Sequence, residues 1–158
     1  MRSTHTIAFS EFENTTSNII ISYLKLDSDD AKNLIEKFNF PLNPKFAIKI
    51  IWQAKSDWGI EENSVPNETI LVFSQKDIKS GIILRNQGYA ELIHTHSNYF
   101  IDQQENLNIN TEYNSTICEE KIWFISKHLR ARYSLIKNKE FGSPIQTSLS
   151  SEIRRITN

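Results

Sequence analysis

The chain has 158 residues, 39% of them hydrophobic, and its 18 Lys and Arg residues nearly balance its 19 Asp and Glu residues, for a formal net charge of -1. This length is typical of one domain, 1–158, with its own core, and the charge balance excludes the strongly basic surface of a nucleic-acid-binding protein. One cysteine excludes an internal disulfide, and no apolar run is long enough to cross a membrane, so we expect a soluble protein of a reducing compartment.

The first third of the chain predicts two strands followed by a helix. The strands are 3–9 and 17–26, the second with a run of three β-branched isoleucines. Asp27 or Ser28 is a suitable N-cap for a short helix near residues 28–39, which must end before Pro41. Further apolar-rich runs predict strands at 46–55, 69–74, 80–85, 90–95, 98–102, 107–113, 116–125, 129–136 and 146–156.

Many short strands joined by polar turns are typical of a mainly β protein with an antiparallel sheet. Such a sheet either closes into a barrel or folds into a sandwich. Closure is favoured because one helix cannot cover a large open sheet. We therefore expect an up-and-down barrel of about eight to ten strands with a cavity for one small ligand.

Charged residues lie at unusual positions in the strands 116–125 and 129–136. Glu120 alternates with apolar residues on the strand face of Cys118, where a carboxylate must be paired, protonated or reached by a polar ligand. Arg130, Arg132 and Ser134 share one face of the next strand. This strip is either a solvated outer face or a surface that binds anions.

Two tryptophans and a second carboxylate are further candidates for the site. Trp52 lies on an apolar strand face and Trp58 follows six residues later, so each is either a core indole or a flat wall for a planar ligand. Glu152 lies among polar residues near the end of the chain, where alone it would be a surface charge.

The histidines and the cysteine predict less. His94 and His96 are two residues apart, but no further ligand at a familiar spacing completes a metal site, and we predict none. Cys118 has no histidine near it in sequence, which favours a small buried thiol over a nucleophile.

Several of these stretches together resemble the S-type phycobiliprotein lyases, which are bilin chromophore lyases of cyanobacteria and of cryptophyte or red-algal plastids. The matching stretches are RSTH at 2–5, the pair Trp52 and Trp58, LR at 84–85 with GYAE at 88–91, TEY at 111–113, EEKIWF at 119–124, LRARYS at 129–134 and SEIR at 151–154. The likeness runs in order over almost the whole chain.

The resemblance implies a lipocalin-like barrel that binds a free phycobilin, with phycoerythrobilin favoured over phycocyanobilin. It implies attachment of this open-chain tetrapyrrole by a thioether to a cysteine of an apo-phycobiliprotein subunit, of phycoerythrin or phycocyanin. No cofactor would be permanently bound, because the bilin is the substrate. The resemblance also implies a homodimer, and a location in the cyanobacterial cytosol or the plastid stroma.

The resemblance selects the residues that strand alternation singles out. It implies bilin binding by Arg2, Trp52, Trp58, Arg130, Arg132 and Ser134, and catalytic roles for Glu120, Glu152 and Arg130. Our hypothesis is that Glu120 holds a proton at neutral pH or pairs with a protonated pyrrole, and that Glu120 or Glu152 manages protonation of the bilin.

The sequence departs from the family pattern at three places. A segment with a helix ordinarily precedes the stretch at Arg2, and we expect that segment to be missing here. Lys121 stands where Arg is usual, and Lys lacks the bidentate fork of Arg. His128 stands where Asn is usual, and we expect that change to affect a turn only.

Two other functions are compatible with the pattern. A bilin carrier or chaperone without catalytic activity would keep the same binding residues. An unrelated lipocalin-like carrier of fatty acid or retinoid would prefer an entirely apolar lumen.

Overall fold

The computed structural model of the chain describes residues 2–8, 12–55, 67–88 and 93–155, and it describes the side chains of 17–52, 68–88 and 93–155. The described residues form ten strands: β1 Arg2–Ala8, β2 Phe12–Leu24, β3 Pro44–Lys55, β4 Asn67–Asp77, β5 Ser80–Arg85, β6 Thr95–Ile101, β7 Leu107–Glu112, β8 Thr116–Ser126, β9 Leu129–Asn138 and β10 Pro144–Ile153. One helix, α1 Asp29–Glu36, lies between β2 and β3.

The strands form a closed antiparallel barrel. Each strand pairs with the next along the chain, and β1 pairs with β10 to complete the circle. The lipocalin-like barrel with one short helix that the sequence predicts is therefore confirmed. Among the described residues, no helix is long and apolar enough to span a membrane.

One region of the barrel differs from the prediction. The strand predicted at 98–102 begins earlier, at Thr95, and is β6. Of the strand predicted at 90–95, residues 93 and 94 are not in a strand, and residues 90–92 lie outside the described part. The polar residues 96 and 97 were not expected to belong to the strand. Ser97 instead points inward, where it is fully buried and shares a hydrogen bond of 2.6 Å with Thr111.

Helix α1 packs on the outside of the barrel. Ser28 is its N-cap, and the Ser28 hydroxyl accepts a hydrogen bond from the Ala31 amide at 3.4 Å, as the sequence predicts. Ala31 and Leu34 are buried against the outer face of β3, β4 and β5, which includes Val72 and Leu84. The helix thus covers one wall without entering the lumen.

Inward-pointing residues of β3 to β8 form the apolar wall of the barrel. Leu71, Ile83 and Ile109 are its buried centre. Partly buried residues surround them: Ile48, Ile50, Phe73, Tyr99, Leu107 and Ile122. One side of the lumen is therefore hydrophobic.

Gly81 of β5 occupies a position that admits no side chain. A Cβ atom there would lie 2.2 Å from the carbonyl oxygen of Ser74 and 2.8 Å from the ring of Tyr99. The strands β4, β5 and β6 can approach each other this closely only because Gly81 has no Cβ.

We expect Gly81→Ala to lower the free energy of unfolding by about 3 kcal/mol, the upper end of the range for overpacking, because a backbone carbonyl cannot move aside. The matched control is Gly142→Ala, where φ is +66° but nothing lies within 4 Å of the added methyl group, so a cost of about 1 kcal/mol is expected. Urea unfolding measures both. A loss for Gly81→Ala no larger than that for Gly142→Ala would contradict the steric argument.

Candidate functional site

A polar wall faces the apolar wall across the lumen. Glu120 of β8 lies opposite Ser134 of β9, and Ser134 lies opposite Ser148 of β10. Both serines are buried, and their hydroxyl oxygens are 2.5 Å apart. Glu120 shares its inward face with buried Cys118. The strip of β9 that the sequence singles out is thus a lumen surface and not a solvated outer face.

Glu120 is held between two arginines that come from different strands. Its Oε2 accepts a hydrogen bond from Nη2 of Arg85 on β5 at 2.9 Å, and its Oε1 accepts one from Nη2 of Arg132 on β9. The Glu120 side chain is 0% exposed, Arg85 is 7% exposed and Arg132 is 26% exposed. Arg132 is therefore the arginine of the two that an incoming ligand reaches more easily.

The two arginines decide the charge of Glu120. Burial by itself raises the pKa of this carboxyl, but the Arg132 and Arg85 guanidiniums outweigh burial and lower the pKa to about 2. Glu120 is thus an ionised, paired carboxylate. The hypothesis that Glu120 holds a proton at neutral pH is contradicted for the free protein, whereas pairing with a protonated pyrrole remains a prediction.

Arg85 is the member of this site that the sequence analysis did not assign. Its Nε donates to the Ser97 hydroxyl at 3.1 Å, and Ser97 in turn contacts Thr111 at 2.6 Å. The signal was present in the sequence, because Arg85 continues the inward-facing row of Gly81 and Ile83. That row identifies an arginine in the lumen but not its partner.

A second ion pair lies next to the first on the same wall, because Arg130 is the inward-facing neighbour of Arg132 on β9. Nε of Arg130 donates to Oε2 of Glu152, which stands opposite it on β10. Glu152 is 1% exposed and Arg130 is 21% exposed. A small cleft beside the pair is lined by Phe124, Lys127, His128, Arg130, Glu152 and Arg154.

We call Arg85, Arg130, Arg132, Glu120 and Glu152 the charged cluster. Its three guanidiniums and two carboxylates leave one positive charge in excess, inside a lumen with an apolar opposite wall. Such an arrangement suits a ligand that is both flat and anionic, because guanidiniums bind carboxylates through charge-assisted hydrogen bonds.

The remaining predicted binding residues are described in part. Trp52 is partly buried on β3, opposite buried Ile19 of β2, and it belongs to the inward row of Ile48 and Ile50. Arg2 lies on β1 opposite Ile153, but its side chain lies outside the described part of the chain, as does the whole of Trp58.

Cys118 is a buried structural thiol. It packs with Tyr113 and Ile136, and burial, followed by the charge of Glu120, raises its pKa to about 12. The prediction of a small buried thiol is confirmed.

The two histidines belong to packing around the helix. His94 contacts Nζ of Lys37 through Nε2 at 2.9 Å, and His96 packs edge-on against Phe38 and Phe40. Within the described side chains, no group of three metal-ligating residues occurs.

Of the two residues that depart from the family pattern, Lys121 lies away from the charged cluster, whereas His128 lines the small cleft beside Arg130 and Glu152. Lys121 bonds to Asp102 at 3.3 Å, on the face of β8 opposite to Glu120. His128 lies in the turn between β8 and β9, where its carbonyl accepts from the Arg154 amide at 2.9 Å.

Comparisons with known proteins agree over nearly the whole chain. A family model described as CpeS-like protein matches residues 1–155. Chromophore lyase CpcS/CpeS 3 of Trichodesmium erythraeum is 37% identical over 97% of this chain and 90% of its own length. The phycocyanobilin lyase subunit CpcS of Picosynechococcus sp. is 26% identical over 97% of this chain and 78% of its own length.

A solved structure is also similar. The S-type phycobiliprotein lyase CPES from Guillardia theta superimposes with a TM-score of 0.81 and 25% sequence identity. The match covers 99% of this chain and 87% of that structure.

We expect the Glu120 ion pairs to make stability depend on acid pH. Because the folded-state pKa of Glu120 is depressed, its stabilisation is complete above the unfolded value of about 4.3 and is lost as pH falls toward about 2. Urea midpoints across this range should therefore fall more steeply for the wild type than for Glu120→Gln. The control is Glu119→Gln on the outer face, which should keep the wild-type slope. Parallel curves for wild type and Glu120→Gln would contradict the assignment.

We expect Cys118 to be unreactive in the folded protein, because it is buried and its pKa is raised to about 12. At mildly alkaline pH, alkylation by iodoacetamide should be at least about a hundredfold slower in the native protein than in urea, since the thiolate is the nucleophile. Mass spectrometry follows the labelling. Equal rates in both states would show that the thiol is accessible.

Proposed function

The chain belongs to the CpeS-like protein family of chromophore lyases, and from this premise we propose that it binds a free phycobilin and attaches it through a thioether to a cysteine of an apo-phycobiliprotein subunit. The observation that carries the proposal is the charged cluster, which lies opposite an apolar wall inside a closed barrel. A bilin has two propionates and a conjugated, roughly planar ring system, so it needs both walls.

Propionates would enter by exchange with the protein's own carboxylates. Arg130 and Arg132 are the partly exposed cations of the cluster, and each is bound to a buried glutamate in the free protein. A charge-assisted hydrogen bond between a guanidinium and a carboxylate is worth about 1.5–3 kcal/mol, so a propionate can compete with each glutamate for its arginine. The rings would lie against the apolar wall, with Trp52 as a flat contact.

The exchange separates the roles of the two glutamates. Glu120 keeps a second guanidinium when Arg132 turns to the ligand, whereas Glu152 has Arg130 as its one salt-bridge partner among the described side chains. We assign Glu152 to proton transfer with the bilin, and Glu120 to a fixed anion that Arg85 keeps paired.

The attachment step adds an S–H bond across the exocyclic ethylidene double bond of the A ring. The sulfur of the acceptor cysteine bonds to the ethylidene carbon, and the proton ends on the bilin, so nothing leaves and no oxidant is needed. Protonation of the bilin makes that carbon more electrophilic toward the thiolate. The nucleophile belongs to the acceptor subunit, so Cys118 takes no part.

The choice of bilin and the assembly state are further proposals. On the family resemblance we propose phycoerythrobilin as the preferred substrate, with no permanently bound cofactor. A competition experiment with phycocyanobilin compares the two bilins directly.

We also propose a homodimer, in the cyanobacterial cytosol or the plastid stroma. Exposed apolar side chains on the outer face of β8 to β10 support the dimer: Ile125, Leu149 and Ile153. Analytical ultracentrifugation measures it.

We expect Arg130→Met to weaken phycoerythrobilin binding by about tenfold to a hundredfold, because one charge-assisted contact with a propionate is lost. Absorbance titration of the purified chain with free bilin measures the affinity. The matched control is Lys137→Met, which removes a cation from the outer face of β9, where it pairs with Glu119. Unchanged affinity for Arg130→Met would contradict the proposed site.

Co-expression with bilin-synthesis enzymes and an apo-subunit tests the reaction itself. A lyase yields a fluorescent adduct that survives acid denaturation, and Cys118→Ser should yield it normally. Bilin that binds the chain but is never covalently attached to the subunit would identify a carrier.

A further inference from the structure

We infer that Arg85 is a positioning residue that keeps Glu120 ionised and in place when the bilin takes Arg132. The inference rests on the proposed function and extends it, because it assigns Arg85 a role in the exchange of carboxylates. Glu120 has two counterions in the free protein, and they differ in their access to solvent. Arg132 is 26% exposed, whereas Arg85 is 7% exposed.

The surroundings of Arg85 keep its guanidinium in one position. Nε donates to Ser97 at 3.1 Å while Nη2 donates to Glu120 at 2.9 Å, so two sides of the planar group are fixed. Ser97 is itself held by Thr111, and both hydroxyl residues are fully buried. Arg85 therefore cannot follow a ligand without breaking a buried network, and such breakage costs several kcal/mol.

The groups that face Glu120 leave no substitute for this role among the described side chains. They are Arg85 from β5, Arg132 from β9, Ser134 from β9, Ile109 from β7 and Cys118 from β8 itself. Of these, only the two arginines are cations. Once a propionate occupies Arg132, Arg85 is the one cation among the described side chains that still offsets the charge of the buried carboxylate.

Arg85 also determines how many protons the chain takes up when it binds bilin. With Arg85 present, Glu120 stays ionised in the free protein and in the complex, so it takes up no proton. Without Arg85, the departure of Arg132 would leave an unpaired buried carboxylate, which binds a proton instead. Bilin affinity of such a variant must then fall as pH rises, by up to about tenfold per pH unit.

Calorimetric titration of the chain with free phycoerythrobilin, in two buffers of different ionisation enthalpy at about pH 7, counts the protons taken up. The variants are Arg85→Met, which removes the charge, and Arg85→Lys, which keeps it. The matched control is Lys49→Met, which breaks the surface pair of Lys49 with Glu68 at 2.9 Å.

We expect Arg85→Met to take up about one more proton than the wild type, and Arg85→Lys and Lys49→Met to match the wild type. An equal proton count for Arg85→Met and the wild type would overturn the inference. A wild-type chain that binds bilin but never attaches it would overturn the lyase function and leave the Arg85 result standing. A chain that binds no bilin would overturn both.

A second comparison covers the case in which Arg85→Met fails to fold. Glu120→Gln and the double variant Arg85→Met with Glu120→Gln both lack the buried carboxylate. If Arg85 acts through Glu120 alone, the two bind bilin with the same affinity. A further loss of tenfold or more in the double variant would show that Arg85 acts on the ligand by another route, and it would overturn the assignment.

Discussion

The carboxylate of Glu120, enclosed in a barrel whose opposite wall is apolar, is the constraint on which the polar half of the lumen depends. A buried carboxylate without a partner costs several kcal/mol, and two guanidiniums from other strands offset that cost. Apolar residues of similar volume would stabilise the barrel as well or better. The stability of the fold by itself therefore does not account for the ion pairs, which supports the proposed role of the lumen in binding a charged ligand.

The position of the helix makes this lumen available. Because α1 packs on the outer face of β3 to β5, its apolar residues occupy no space inside the barrel. The inward faces of β3, β4 and β5 then contribute to the hydrophobic wall, while β8, β9 and β10 carry the charges of the cluster other than Arg85 of β5. A closed barrel thus presents two chemically different surfaces to one ligand, which matches a pigment with flat rings and acidic side chains.

Access to solvent is graded across the charged cluster. The two glutamates and Arg85 are almost completely buried, whereas Arg130 and Arg132 are partly exposed. An incoming ligand therefore reaches the cations before the buried carboxylates, which supports the proposed exchange of carboxylates. The buried groups therefore carry fixed charges, and the partly exposed arginines are the groups that a ligand can bind.

Strand alternation in the sequence was sufficient to determine which charged residues of β8 and β9 share a face, but not that this face points inward. The capping residues Asp27 and Ser28 located the start of the helix to within one residue. Those features are local, because they depend on neighbours within a few positions. The start of β6 at Thr95 was not predicted, since only the fold shows that Ser97 is satisfied by Thr111. Arg85, one of the two partners of Glu120, was revealed by the tertiary structure alone. Arg85 stands 35 positions away, and barrel closure brings it to 2.9 Å, which sets the carboxyl's charge. Pairing between distant strands depends on register around the whole barrel, and no pattern within one strand contains that information.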